Sequence, residues 1–283
     1  MTVYYSAAAV DAFQAIVLGI VQGLTEFLPI SSTGHLRIVP AVLGWEDPGA
    51  AFTAVTQLGT MAAVLIYFRA DLHRIAVASV ASLRDRARWD ELDARLGRYI
   101  VLGTIPIGIF GLAFKDQIEN GARDLYLIGI ALILLGFVLL AAERVGSKDR
   151  KIEQITTRDG IAVGLAQALA LVPGVSRSGA TISAGLFLGL DRTSAARFSF
   201  LLSIPAVVLS GLLEFASIVN GSDGEHVGLG ALAVATLLAF VVGYASIAFL
   251  LRYLSNHSTI VFVVYRVALG ALVLVLVSSG AIK

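Results

Sequence analysis

The feature that most limits what this chain can fold into is a succession of charge-poor apolar runs, at about 51–68, 99–114, 125–142, 198–219, 227–251 and 259–279. Each is near the roughly 17–25 apolar residues that a helix needs to cross a bilayer. In lipid the backbone must satisfy its own hydrogen bonds, so each run is read as a crossing α-helix. Composition agrees: 57% of the 283 residues are hydrophobic and 14% charged, with a mean hydropathy of +0.85. A soluble domain carries about 25% charged residues. Cysteine is absent, which removes disulfides, iron–sulfur clusters and thiol catalysis. The first residues, MTVYYSAAAVDAF, lack the basic flank of a secretory signal, so the first apolar run is read as mature protein.

Two further runs, 12–30 and 161–173, lead into Gly/Ser-rich turns, each followed by a second short apolar arm, 36–45 or 181–190. These arms are too short to cross and predict two re-entrant helical hairpins, 12–45 and 161–190. Pro29 and Pro173 are 144 residues apart, and the same offset carries 51–68 into the run at 198–219. The spacing predicts an internal repeat, 1–143 and 144–283, each copy holding one hairpin and three crossing helices. Three crossings are odd, so the second copy must be inverted, and the two hairpin tips can meet near the midplane. The expected fold is an all-α polytopic membrane protein of two inverted repeats. Irregular backbone at that depth is tolerable only where protein covers it or it lines a wet cavity.

The basic residues set an orientation. Loops 69–98, 143–160, 191–197 and 252–258 carry fifteen Lys and Arg, whereas the opposite side has Lys115, Arg123 and Lys283. The positive-inside rule makes the first side cytoplasmic and places both termini outside. Loop 71–97 mixes Arg84, Arg86, Arg88 and Arg95 with Asp85, Asp90, Glu91 and Asp93 and is read as a solvated or interfacial helix without chemistry. Arg37, Arg177 and Arg266 are left in apolar surroundings. For Arg37 a peripheral role is expected. Arg266 should face the interior and meet a carboxylate or a substrate.

Gln22 and Glu26 precede the first turn four residues apart, which puts both on one helix face. A carboxylate within an apolar run costs about 2.5–3.5 kcal/mol on insertion scales and needs a cation, a metal or a proton. Ser31, Ser32, Thr33 and His35 follow it closely. The second turn, Gly174-Val-Ser176-Arg177-Ser178-Gly179-Ala-Thr181, has the ingredients of an anion site at a helix start. Glycine allows close backbone approach, hydroxyls and N–H groups donate, and the helix dipole adds positive potential. Arg177 supplies a planar cation suited to phosphate oxygens. A set of this kind suits a lipid bearing phosphate, with a nucleophile, a proton carrier and positive charge all represented.

At these residues the chain resembles the undecaprenyl pyrophosphate phosphatases, the bacitracin-resistance family of bacterial membranes. The family is marked by a Glu/Gln-x-x-x-Glu run into Pro-x-Ser-Ser-Thr-Gly-His, here Gln22–Glu26 and Pro29–His35, and by Pro-Gly-x-Ser-Arg-Ser-x-x-Thr, here Pro173–Thr181. The resemblance implies hydrolysis of undecaprenyl pyrophosphate to the monophosphate carrier of envelope synthesis, in the inner (plasma) membrane. It implies functional roles for Glu26, Ser32, His35, Ser176, Arg177 and Thr181, and Mg²⁺ or Ca²⁺ as cofactor, with Glu26 the candidate metal ligand. Gln22 stands at the first acidic position and cannot serve as a charged ligand, which weakens a two-carboxylate metal site.

Arg177, Ser31, Thr33, Gly174, Ser176, Ser178, Thr181 and Arg266 are then candidates for binding phosphate, with Glu26 and His35 managing protons or a metal and Gln22 supporting. Ser32 is the first choice of nucleophile and His35 the second. Partners on this reading are a polyprenyl pyrophosphate, membrane lipids and a second copy in a homodimer, with no nucleic acid. A carrier moving a lipid phosphate or another anion across the bilayer is the competing function, because inverted repeats with broken segments are also a transporter signature.

Overall fold

The computed structural model describes residues 10–114, 124–219 and 228–283, and of residues 50, 51 and 212–219 it describes the backbone alone. Residues 1–9, Lys115 and Arg123, which bear on the orientation above, lie outside the described residues.

The chain is helical. Each apolar run becomes a helix: α1 Ala12–Phe27, α2 Ser32–Leu43, α3 Gly49–Tyr67, α4 Arg69–Arg84, α5 Leu92–Ala113, α6 Leu125–Val145, α7 Thr157–Ala168, α8 Arg177–Phe187, α9 Arg192–Val219, α10 Leu229–Leu254 and α11 Ile260–Ser278. Among the described residues five helices, α5, α6, α9 (to Gly211), α10 and α11, are long and apolar enough to cross a membrane. Of α3, Phe52–Tyr67 counts as a shorter apolar helix. The stretch 71–97, read as one solvated or interfacial helix, is divided among α4, a 3₁₀ turn Arg86–Arg88 and the start of α5, which begins at Leu92 rather than near 99.

Local chemistry sets the boundaries that matter for the site. Asp11 opens α1 by accepting from the Gln14 amide at 2.8 Å while Gln14 accepts from the Asp11 amide at 3.1 Å, a reciprocal cap. The helix stops at Phe27 because Pro29 biases Leu28 to extended backbone, observed at φ −67°, ψ 142°. Thr156 and Asp159 cap α7 in the same reciprocal way. A short 3₁₀ turn, Leu169–Leu171, carries α7 into the second turn.

The helices pair across the two halves of the sequence. Helix α1 packs on α10, α5 on α7, α6 on α11, and α3 lies between α9 and α10. These approaches are close enough to require glycine, as two of them show. A Cβ on Gly19 would lie 2.5 Å from the Ala235 carbonyl oxygen, and one on Gly164 would lie 2.3 Å from Gly103 Cα. Without a hydrophobic drive between helices in lipid, such small-residue contacts are what lets backbones pack. The main core lies where α3, α5, α8, α9 and α10 converge, around Phe27, Phe68, Phe198 and Phe200.

Candidate active site

The two turns are built alike. Ser31 and Ser176 are both helix N-caps with left-handed backbone, φ 75° and 69°, and each accepts from the amide three residues on, Gly34 at 3.3 Å and Gly179 at 3.1 Å. Left-handed backbone at a non-glycine residue costs on the order of 1–3 kcal/mol and persists where the surroundings over-determine it. Each cap serine also meets a hydroxyl two residues later, Thr33 at 3.3 Å and Ser178 at 3.2 Å. The caps correspond at an offset of 145, one more than the proline spacing, and the same offset pairs Gly19 with Gly164 and Gln22 with Gln167.

The turns touch. Ser178 Oγ donates to the Leu28 carbonyl at 3.0 Å. Arg266, fully buried on α11, donates to the carbonyls of Pro29 (3.1 Å), Gly174 (2.9 Å) and Val175 (3.1 Å), and to Leu132 (3.2 Å) and Ala131 (3.4 Å) on α6. Arg266 faces the interior as expected, and of its two expected partners, a carboxylate or a substrate, the carboxylate is replaced by main-chain oxygens. The physical reason is that irregular backbone buried between helices leaves carbonyls without a helical donor. Gly174 sits at φ 88°, and a Cβ there would meet the Ile128 carbonyl oxygen at 2.8 Å.

Glu26 is the centre of the cluster. Its Oε2 accepts from Ser32 Oγ at 2.6 Å and from Gln22 Nε2 at 3.1 Å. Its Oε1 accepts from Gln57 Nε2 at 2.9 Å and from the Arg177 guanidinium. Four donors, one from its own helix and three from other segments, thus converge on one buried carboxylate, which requires the approach of α1, α2, α3 and α8. Gln57 was not singled out in the sequence. Its only signal there is an amide inside an otherwise apolar run.

His35 stands apart from this cluster. Its Nδ1 lies 2.7 Å from the Ser31 carbonyl and its Nε2 lies 2.6 Å from the Tyr265 hydroxyl. Thr181 also turns away: its hydroxyl bonds the Arg177 carbonyl at 2.7 Å and Ser199 Oγ on α9 at 2.5 Å. Arg37 is peripheral, paired with Asp47 at 3.3 Å and with the Lys283 carbonyl at 2.8 Å.

A narrow cleft opens onto Glu26 and Arg177, with Phe27, Met61, Val64, Ile204 and Val207 as its apolar walls. Thr60 and Ser203 complete its lining, and the space is no larger than a water molecule. For a metal the fit is poor. Every bond to Glu26 comes from a donor, one of them a cation, and among the described residues no group of three or more His, Asp or Glu could hold a metal ion. These residues do not form a resident metal centre.

Comparison with known proteins agrees with the motifs. The chain is 56% identical over 273 residues to an undecaprenyl-diphosphatase of Nocardioides sp. (strain ATCC BAA-499 / JS614), covering 96% of this chain and 99% of the relative. It is 56% identical over 270 residues to the protein of that name from Mycolicibacterium smegmatis (strain ATCC 700084 / mc(2)155), covering 95% and 98%. A third, from Nocardia farcinica (strain IFM 10152), is 51% identical, covering 95% and 97%. The family described as bacitracin resistance protein BacA matches residues 15–272, which include both turns and every helix that shapes the cleft, and the chain belongs to that family.

Proposed function

We propose that this protein is a membrane-embedded phosphatase that hydrolyses undecaprenyl pyrophosphate to undecaprenyl phosphate and inorganic phosphate, returning the lipid carrier to cell-wall synthesis. The observation that carries the reading is the Ser32 hydroxyl donating to Glu26 at 2.6 Å beside the Arg177 guanidinium. A hydroxyl, a base and a cation in contact are the parts that phosphoryl transfer needs. The name that the relatives carry supplies the substrate.

In the mechanism, the headgroup enters between the turns and competes with Glu26 for Arg177. Ser32 Oγ attacks the terminal phosphorus and gives its proton to Glu26. The bond from phosphorus to the bridging oxygen breaks, and undecaprenyl phosphate leaves with that oxygen. The departing lipid phosphate oxygen takes that proton from Glu26. Water then attacks the phosphoserine phosphorus and gives a proton to Glu26, the bond from phosphorus to Ser32 Oγ breaks, Glu26 returns the proton to Ser32 Oγ, and orthophosphate departs. Arg177 offsets the charge on the phosphoryl oxygens throughout. Gln22 and Gln57 hold the carboxylate in place. His35 is the second candidate for the attacking atom. A divalent cation such as Mg²⁺ or Ca²⁺ belongs to this reading as a companion of the pyrophosphate, and no step here depends on it.

The matched serine caps and the cross-paired helices support two inverted repeats, 1–143 and 144–283, with α1–α2 and α7–α8 as re-entrant hairpins. The distribution of basic residues supports a plasma-membrane protein with both termini outside. A homodimer belongs to the same reading. Release of inorganic phosphate from undecaprenyl pyrophosphate by purified protein in detergent, with no second compartment, tests the activity. Failure of wild-type protein to release it, with lipid moved between leaflets of a vesicle instead, would favour the carrier.

A further inference from the structure

We propose that Tyr265 is the positioning residue for His35, holding the imidazole in one tautomer and one orientation through a hydroxyl bond and a ring stack. His35 lies on the first turn of α2, one helical turn beyond Ser32. Its Nδ1 is 2.7 Å from the Ser31 carbonyl oxygen. A carbonyl can only accept, so Nδ1 carries a proton, and in the neutral ring Nε2 is then an acceptor. The Tyr265 hydroxyl, 2.6 Å away, donates to it. The two rings are nearly coplanar in direction, 6° apart with centroids at 5.6 Å. The Ser31 carbonyl and the Tyr265 hydroxyl together therefore set the role of each nitrogen, and the Tyr265 ring sets the plane of the imidazole.

The rest of the site reinforces this arrangement. Tyr265 precedes Arg266, whose guanidinium ties down the Pro29 and Gly174 carbonyls. One turn of α11 thus anchors the main chain of both turns and the histidine beside them. The Ser31 carbonyl that receives Nδ1–H belongs to the residue with φ 75°. That strained cap directs the carbonyl, and Tyr265 closes the ring from the other side. His35 is buried whereas Tyr265 is 43% exposed, so the tyrosine separates the imidazole from the surroundings of the bundle. The importance of His35 itself rests on the phosphatase reading above.

Tyr265→Phe keeps the ring and removes the hydroxyl. Phosphate release by the variant should show kcat lowered by about 10–100-fold, as when a group that orients a working histidine is removed, with KM for the lipid pyrophosphate nearly unchanged. In a His35→Ala background the same substitution should cost nothing further, because a residue acting through His35 has no effect once His35 is gone. Equal losses in both backgrounds would mean that Tyr265 is structural and would overturn the proposal. A second measurement does not depend on activity. The chain has 4 histidines, and ¹⁵N-histidine spectra with His35→Ala as the assignment control should show a single Nδ1–H tautomer for His35. In Tyr265→Phe that signal should give way to mixed tautomers, and an unaltered pattern overturns the proposal. Should wild-type protein release no phosphate, the phosphatase reading fails and the ¹⁵N result still decides this one.

Discussion

Arg177 donates its guanidinium to Oε1 of Glu26, joining residues 151 apart in the sequence. On the proposed mechanism a phosphate competes with the Glu26 carboxylate for this guanidinium. Truncating either side leaves the other charge poorly compensated at a part-buried site.

Arg177→Ala should raise KM and also slow turnover, because loss of a preorganised donor at a developing charge costs on the order of 10²–10³ in rate. Arg177→Lys should recover only part of this, since an ammonium lacks the planar fork. Phosphate release across a range of lipid pyrophosphate concentrations measures both parameters. An unchanged kcat in Arg177→Ala would remove Arg177 from the mechanism.

Ser32→Ala should abolish turnover while leaving lipid pyrophosphate binding largely intact, as expected for a group needed only in bond making. His35→Ala should retain activity reduced by about 10²–10⁴-fold, the usual worth of acid–base assistance. The structure favours this order, because Ser32 already touches Glu26 and both His35 nitrogens are engaged elsewhere. If His35→Ala is dead, Ser32→Ala keeps a few per cent, and a phosphoryl group is trapped on His35, the assignment reverses.

Arg266→Leu should destabilise the protein more than it alters any single kinetic parameter. Each buried carbonyl left unpaired costs about 1–3 kcal/mol, and Arg266 serves three in the two turns. Thermal unfolding in detergent should show a clear drop in midpoint, with poor accumulation in the membrane. A wild-type midpoint and wild-type turnover together would show that the turns hold themselves.

Orientation can be tested by chemical labelling, since the native chain has no cysteine. Lys151→Cys, at an exposed position in the 143–160 connection, should resist an impermeant thiol reagent in intact cells and react after permeabilisation. Labelling from outside would invert the topology.

The apolar runs were legible because crossing a bilayer imposes a length and a composition on each helix. The four-residue spacing of Gln22 and Glu26 was legible as a shared face, and their side chains do meet at 3.1 Å. Gln57 and Tyr265 were not, because each acts on a partner far away in the chain and neither lies in a Gly/Ser-rich turn. Arg266 was recognised as buried, yet its partners are main-chain oxygens, which no residue pattern advertises. The left-handed backbone of Ser31 and Ser176 was hidden for a related reason: a serine before a helix reads as an ordinary cap, and only packing from both sides forces its φ positive.

The offset of 145 that aligns the two caps also pairs Glu26 with Leu171 and Ser32 with Arg177. Where the proposed mechanism takes its base and attacking hydroxyl from one half, the other has an apolar side chain and a cation. If the halves are the proposed repeats, they are unlike at these positions, and the proposed centre is a single composite one. Neither fragment expressed alone should hydrolyse anything, whereas the two fragments expressed together could restore turnover only by pairing with each other, never by either pairing with itself.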